Sequence, residues 1–491
     1  MLKKCLWLMV AASLCAGAQA ETIRPAATQR SPLDSVKLDQ STFVGKAGYW
    51  RVGKDVKGNW WFITPENKPF YYRGVTSIND EGTTGGRRAQ PGRYTEATSA
   101  KYADEKAFAT AQIRRLRSWG FNATGAWATR EFFDFEVDGT TMPFTEVLEF
   151  AYVGPQIRGD GIGLPDVFDP RWQKAGDEYA KNLCTPLRES KGLIGYFTDN
   201  ELSWAQPSEE DIAAQSDPEK AKLVPPRMWL LQHCLSLPED AAAFKAAWEF
   251  VLTRHGNFAA LSKAYGVPIT DKNALRKLNP QRNAIVMGDG LKREDPGLPR
   301  WDKPPVVIRT AAFMADTEAF SKVFAERYFK LTSEMIRKHD PNHLILGCRF
   351  GGPPGSVVLA AHKKEWVDVL SANNYRPNMK ERMMAYYTAT KLPVLNGEFA
   401  YHSGLFHTRG RTAERMAQMG AESLEELFTA PGVVGYTWYR WVQDEPAPGS
   451  RGSPISCGLV NTRDEEVKIH TETLTRVNAK ADTIAAARTG R

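Results

Sequence analysis

Histidine is scarce in this chain: eight occur in 491 residues, with no His-x-His and no His-Glu-x-x-His spacing. A zinc hydrolase is therefore disfavoured, because catalytic zinc is usually held by imidazoles at such intervals. Cysteine is equally sparse. Cys5 and Cys15 lie in the first twenty residues, and Cys184, Cys234, Cys348 and Cys457 in the body are spaced unlike any zinc site. One or two disulfides are permitted in an exported chain. A protein of this size does not need such staples, so buried thiols are the expectation. No Gly-x-Ser-x-Gly elbow and no Walker loop occurs. Residues 160–163 resemble a glycine loop, but no helix follows at the spacing a phosphate site needs. The formal charge of +7 is mild and forms no dense basic stripe, so nucleic acid is excluded as a partner. Only residues 6–15 form a long apolar run, too short to span a membrane, and no membrane span is expected elsewhere.

That run belongs to a recognisable address. Lys3 and Lys4 form a basic start, and Ala18-Gln19-Ala20 a small-residue cleavage site, so residues 1–20 read as a signal peptide. Leu14 precedes Cys15 where a lipoprotein signal has Gly or Ala, which points to a freely released protein, secreted or periplasmic. Removing Lys3 and Lys4 takes the formal charge from +7 to +5. Residues 21–45 are polar and without periodicity, and read as a flexible leader.

From residue 46 to 491 the text is that of one large domain, whose 42% hydrophobic content suffices for a core. Aromatic and β-branched runs at 50–52, 60–64 and 70–72, separated by Gly-Asn and Pro-Glu-Asn turns, predict an N-terminal β-hairpin. Strand and helix then alternate. Strand one is expected at 73–78, strand two at 121–127, strand three at 144–153 and strand four at 193–197. Strands five to eight follow at 343–350, 367–375, 394–399 and 435–441. Helical spacing fills 102–119, 171–188, 310–339 and 466–486. Residues 205–309 interrupt the alternation with two helices and a Pro-rich piece, an insertion after strand four. Eight such units predict an α/β fold, a (β/α)8 TIM barrel closing on itself. The Gly- and Arg-rich stretch 82–93 then falls just past strand one, on the face where substrate loops sit.

Two of these strands end in glutamate. Strand four runs into Thr198-Asp199-Asn200-Glu201, and strand seven ends Asn396-Gly397-Glu398. The carboxyl ends of barrel strands display the chemistry, and a pair of carboxylates is what glycosidic cleavage requires. Glu201 is expected to be the acid/base, Glu398 the nucleophile, in a double displacement. Asn200 is placed to bind a sugar hydroxyl, and Tyr375, at the end of strand six, to orient Glu398. Trp438 and Trp127, near the ends of strands eight and two, offer aromatic faces to sugar rings; core filling is an equal reading for Trp127, whereas the alternation of Tyr436 and Trp438 on one face favours the platform for Trp438. His402 and His407 follow strand seven and could reach a subsite. No metal and no cofactor is needed for this chemistry, and the implied partner is a polysaccharide or oligosaccharide.

The stretches GYFTDNELSW, HLILGCRF and NGEFAYHSGLFHTRG resemble the agarases of glycoside hydrolase family 50, within clan A. The resemblance runs in patches from residue 50 to the final helix, and the family's motif glutamates correspond to Glu201 and Glu398. It implies a retaining β-glycosidase acting on a β-linked galactan such as agarose. Residues 257–266 also look like a piece shared with clan A β-galactosidases. Two features depart from the family: a short leader stands where longer agarases carry a β-sandwich module, and residues 444–457 do not follow the usual substrate-loop pattern. A β-galactosidase, a hydrolase of another β-linked glycan, or an inactive carbohydrate-binding barrel therefore stand as alternatives.

Overall fold

The computed structural model describes residues 31–490, apart from 85–86, 89–92, 134, 160–161, 207–227, 280–284, 288–305, 402–410 and 444–456. Eight short parallel strands form its centre: Tyr72–Val75, Ala123–Thr124, Phe144–Val147, Leu193–Phe197, Leu344–Ile345, Leu370–Asn373, Val394–Phe399 and Val433–Trp438. Numbered one to eight along the chain, they lie side by side in the order five, four, three, two, one, eight, seven, six. The two ends of that order meet. Phe350, just past strand five, donates its N–H to Ser371 O (3.0 Å) and accepts from Asn373 N (2.7 Å) of strand six. The sheet thus curls on itself in the manner of a TIM-like barrel.

Its strands can be this short because side chains fill the interior. Tyr72, Ala123, Val147, Ile194, Leu344, Val369, Leu395 and Val434, one from each strand or its edge, form a single apolar cluster. Trp50, Val52, Trp60 and Phe62 complete it. Val52, Trp60 and Phe62 come from a separate antiparallel sheet of Leu38–Val44, Arg51–Asp55, Trp60–Ile63 and Pro69–Phe70, and Trp50 directly precedes its second strand; this sheet plugs the barrel at the amino ends of its strands. The hairpin expected from the sequence is therefore part of a four-stranded sheet. Residues 38–44, expected in the flexible leader, are its first strand. Lys54 N donates to Thr42 Oγ1 (2.7 Å), and the Phe43 ring fills the space over Gly53. A strand of mixed burial carries no alternation to betray it.

Helices cover the outside. Ala413–Phe428 is typical: Thr412 caps it by accepting from Arg415 N, Glu414 sits in its first turn, and Met416, Ala417, Gly420, Leu424 and Leu427 are buried at helical spacing. Between strand four and the long helix Ala311–His339 lie Leu230–Leu235, Ala242–His255, Phe258–Tyr265 and Ala274–Leu278. Ile285–Met287, from the same segment, pairs with Gln156–Gly159 of a hairpin that follows strand three. This region is not helical alone. The chain's far end returns to its beginning. Arg488 donates to Ala430 O, Val433 O and Trp60 O (2.9, 2.8 and 3.0 Å) and lies over the Trp61 ring, fastening the small sheet to strand eight. All four body cysteines are buried as thiols, with no disulfide among the described residues. Among those residues no helix is long and apolar enough to cross a membrane.

Candidate active site

Strand seven shows how a strand end becomes a site. Val394 faces the helical layer and Leu395 the barrel interior, so strict alternation would send Glu398 outward with Val394. A bulge prevents this. Ala372 pairs with Asn396 but Asn373 with Glu398, leaving Gly397 as the extra residue. Phe399 then takes the outward position and Glu398 turns toward the mouth. Its lack of a side chain leaves room for Asn373, because a Cβ on residue 397 would lie 2.6 Å from Asn373 Oδ1 and push that side chain aside.

Four other strands bring groups to the same place. Arg349, past strand five, has a fully buried guanidinium whose Nη2 donates to Glu398 Oε1, forming an ion pair. Its Nε donates to Asn200 Oδ1 (2.9 Å), and it lies over the Trp127 and Phe197 rings at 5.0 and 4.9 Å. The Tyr375 hydroxyl donates to the other carboxylate oxygen, Glu398 Oε2. From strand six, Asn373 Nδ2 donates to Glu201 Oε1 (2.9 Å) and to Asn200 Oδ1 (3.2 Å). Glu201 packs over Gly351, where a Cβ would come within 3.1 Å of its side chain, and its own N–H donates to Arg349 O (3.1 Å).

The two glutamates differ in environment. Glu201 is exposed, whereas Glu398 keeps 4% of its surface. Burial raises the Glu398 carboxyl above the ordinary glutamate range, Arg349 pulls it down, and the nearby Glu201 charge raises it again. Such a pair can divide labour: a buried carboxylate held by a cation and a hydroxyl, and an open one that exchanges protons with solvent. Among the described residues no group of three or more His, Cys, Asp or Glu is arranged to hold a metal ion.

Of the residues expected from the sequence, Glu201, Asn200, Glu398, Tyr375 and Trp127 are brought together at one mouth. Trp438 is not. Tyr436 and Trp438 do share a face, but it is the outer one. The Trp438 ring has no exposed surface, packs edge-on against Phe399 at 5.9 Å, and donates from Nε1 to Cys457 O (2.8 Å). It is core, not a sugar platform. His402 and His407 lie outside the described residues. Arg349 and Asn373 were missed. Arg349 sits in the stretch 344–350, which reads as apolar, and a lone charge there is the signal that could have exposed it; Asn373 is one of several polar residues in 368–374, and nothing local singles it out.

No protein-family model matches the chain. It is 22% identical to beta-agarase A of Vibrio sp. (strain JT0107) over 87% of its own length and 45% of that protein. It is also 22% identical to beta-agarase B of the same organism, over 77% of this chain and 36% of that one. The chain thus spans less than half the length of either relative. The solved structure of an exo-beta-agarase superposes with a TM-score of 0.63 at 19% identity, over 92% of this chain and 69% of that one. The fold is shared with that enzyme.

Proposed function

We propose that this protein is an agarase-like retaining β-glycosidase that cleaves a β-linked galactan by double displacement. The observation that carries the reading is the convergence of Glu201 and Glu398 on one mouth, joined through Asn373, Asn200 and Arg349. Glu398 attacks the anomeric carbon as the glycosidic C–O bond breaks, and Glu201 gives its proton to the departing oxygen. The resulting glycosyl ester on Glu398 is opened by water, which loses its proton to Glu201, and the sugar leaves with its original β configuration. Arg349 and Tyr375 keep Glu398 ionised and aimed. The free amide nitrogen of Asn200, without a partner among the described residues, meets a sugar hydroxyl beside the reacting bond. Trp127 lines the same subsite. Similarity to the two Vibrio beta-agarases supports a galactan as substrate. Residues 1–20 direct the protein out of the cytoplasm, where such a polymer is met.

The test is sugar release from agarose and from other β-linked glycans, with Glu398→Ala as control. Products from agarose that retain the β configuration and vanish in the control are expected. Release from a different glycan alone would keep the chemistry and discard the galactan, and binding without release from any glycan would leave a carbohydrate-binding barrel.

A further inference from the structure

Strand five reaches the mouth by leaving its ladder with strand six. Ile345 O accepts from Val369 N (3.1 Å), and the next backbone bond between the two joins Phe350 N to Ser371 O (3.0 Å). Residues 346–349 thus stand opposite Leu370 alone, as a bulge on the strand-five side. Two of them have left-handed backbone, Gly347 with φ of 75° and Arg349 with φ of 48°. Glycine adopts that conformation freely, whereas the Cβ of arginine opposes it, so the surroundings must hold Arg349 there. The same bulge leaves the Arg349 N–H without a carbonyl of strand six, in a residue that has no exposed surface. A buried N–H needs an acceptor. Among the described residues it has one, the Ser371 hydroxyl oxygen at 2.9 Å.

Arg349 meets both glutamates from that one residue. Its carbonyl accepts the Glu201 N–H (3.1 Å), its Nη2 donates to Glu398 Oε1, and its Nε donates to Asn200 Oδ1 (2.9 Å). Ser371, fully buried in strand six, fixes the direction of the peptide from which all three contacts spring. We propose that Ser371 is a positioning residue: by accepting the Arg349 N–H it holds the strand-five bulge in the one conformation that sets Glu201 and Glu398 at a fixed separation across the mouth. It acts through Arg349 and not by touching the sugar. Alanine at 371 removes the acceptor and leaves the strand apolar. The Arg349 peptide then turns to find another partner and carries its carbonyl away from Glu201 and its guanidinium away from Glu398. The consequence for catalysis rests on the glycosidase reading; the placement of Arg349 does not.

Ser371→Ala tests this by structure and by kinetics. In its crystal structure Arg349 is expected to leave the left-handed conformation and Nη2 to part from Glu398. With an agaro-oligosaccharide as substrate, kcat/KM should fall about 10- to 100-fold. The acid limb of its pH profile should move upward by about 1 pH unit, because the guanidinium that favours ionised Glu398 has withdrawn. In the Arg349→Met background the same substitution should move the limb no further, since both residues reach Glu398 through one contact. Ser371→Cys, of similar shape but a weaker acceptor, should show the shift in smaller measure, and it serves if the alanine variant does not fold. A limb that stays in place would overturn the proposal, and with a sharply lowered unfolding midpoint it would make Ser371 a plain core residue. A further shift in the double variant would overturn the route through Arg349. If the unmodified protein cleaves no glycan, the glycosidase reading fails by itself. The crystal structure then decides on Ser371, and an unmoved Arg349 would overturn its role.

Discussion

Arg349 and Glu398 form an ion pair in which neither charged side chain exceeds 6% exposure. A buried pair of this kind contributes little net stability, because desolvation offsets the attraction. Its effect lies in protonation. Burial makes Glu398 hold its proton to higher pH than a free glutamate would, and Arg349 restrains that tendency.

Replacing Arg349 by Met removes a cation that favours the ionised form, so the Glu398 pKa rises further. The acid limb of the kcat/KM profile should move upward by about 1–3 pH units. An unmoved limb would show that Arg349 does not govern the protonation of Glu398.

Asn373 holds Glu201 from strand six by a 2.9 Å hydrogen bond. In Asn373→Ala the exposed Glu201 carboxyl loses its fixed direction. The turnover number should fall about 10²-fold, as expected for a misplaced reacting group, with KM little changed. A rise in KM at unchanged turnover would instead assign Asn373 to substrate binding.

Asp199 precedes the site by one residue but points the other way. Its carboxylate accepts from Ala151 N (2.8 Å) and Tyr328 Oη, and burial pushes its pKa up to about 8. The folded protein thus holds a proton that the unfolded chain releases above about 3.8. Stability linked to this group is full below that pH and is lost progressively as pH rises toward about 8. Asp199→Asn removes the liability, so its thermal midpoint relative to the unmodified protein should climb between pH 5 and pH 8. A constant difference across that window would contradict the assignment.

Trp438→Ala empties a core position and should cost about 3–5 kcal/mol in denaturant unfolding. If stability held while oligosaccharide affinity dropped, the ring would be a binding platform after all.

The sequence was most legible where strands are longest. Residues 394–399 read as strand seven and are so, because a buried parallel strand is continuously apolar until its functional end. Glu201 and Glu398 stood out as charges closing such runs. The bulge at Gly397 left no pattern, since pairing register is a property of two strands and not of one. Trp438 was misread for the same reason: alternation places two residues on one face without saying which face is inside. Arg349 hides in an apolar stretch, and its purpose depends on Glu398 nearly fifty residues later, a contact that no local window can hold.

The clamp made by Arg488 has a consequence for how the protein acquires its shape. It bonds to Trp60, 428 residues earlier, and strand one finds its second neighbour only in strand eight. A chain synthesised from its amino end therefore carries the small sheet and strand one without their final partners until the last helix has emerged. Contacts of such range make folding slow, because loop closure must precede any gain from them. The ring cannot seal early: for as long as its last turn is missing, the small sheet and strand one stay open at the edge that strand eight will close.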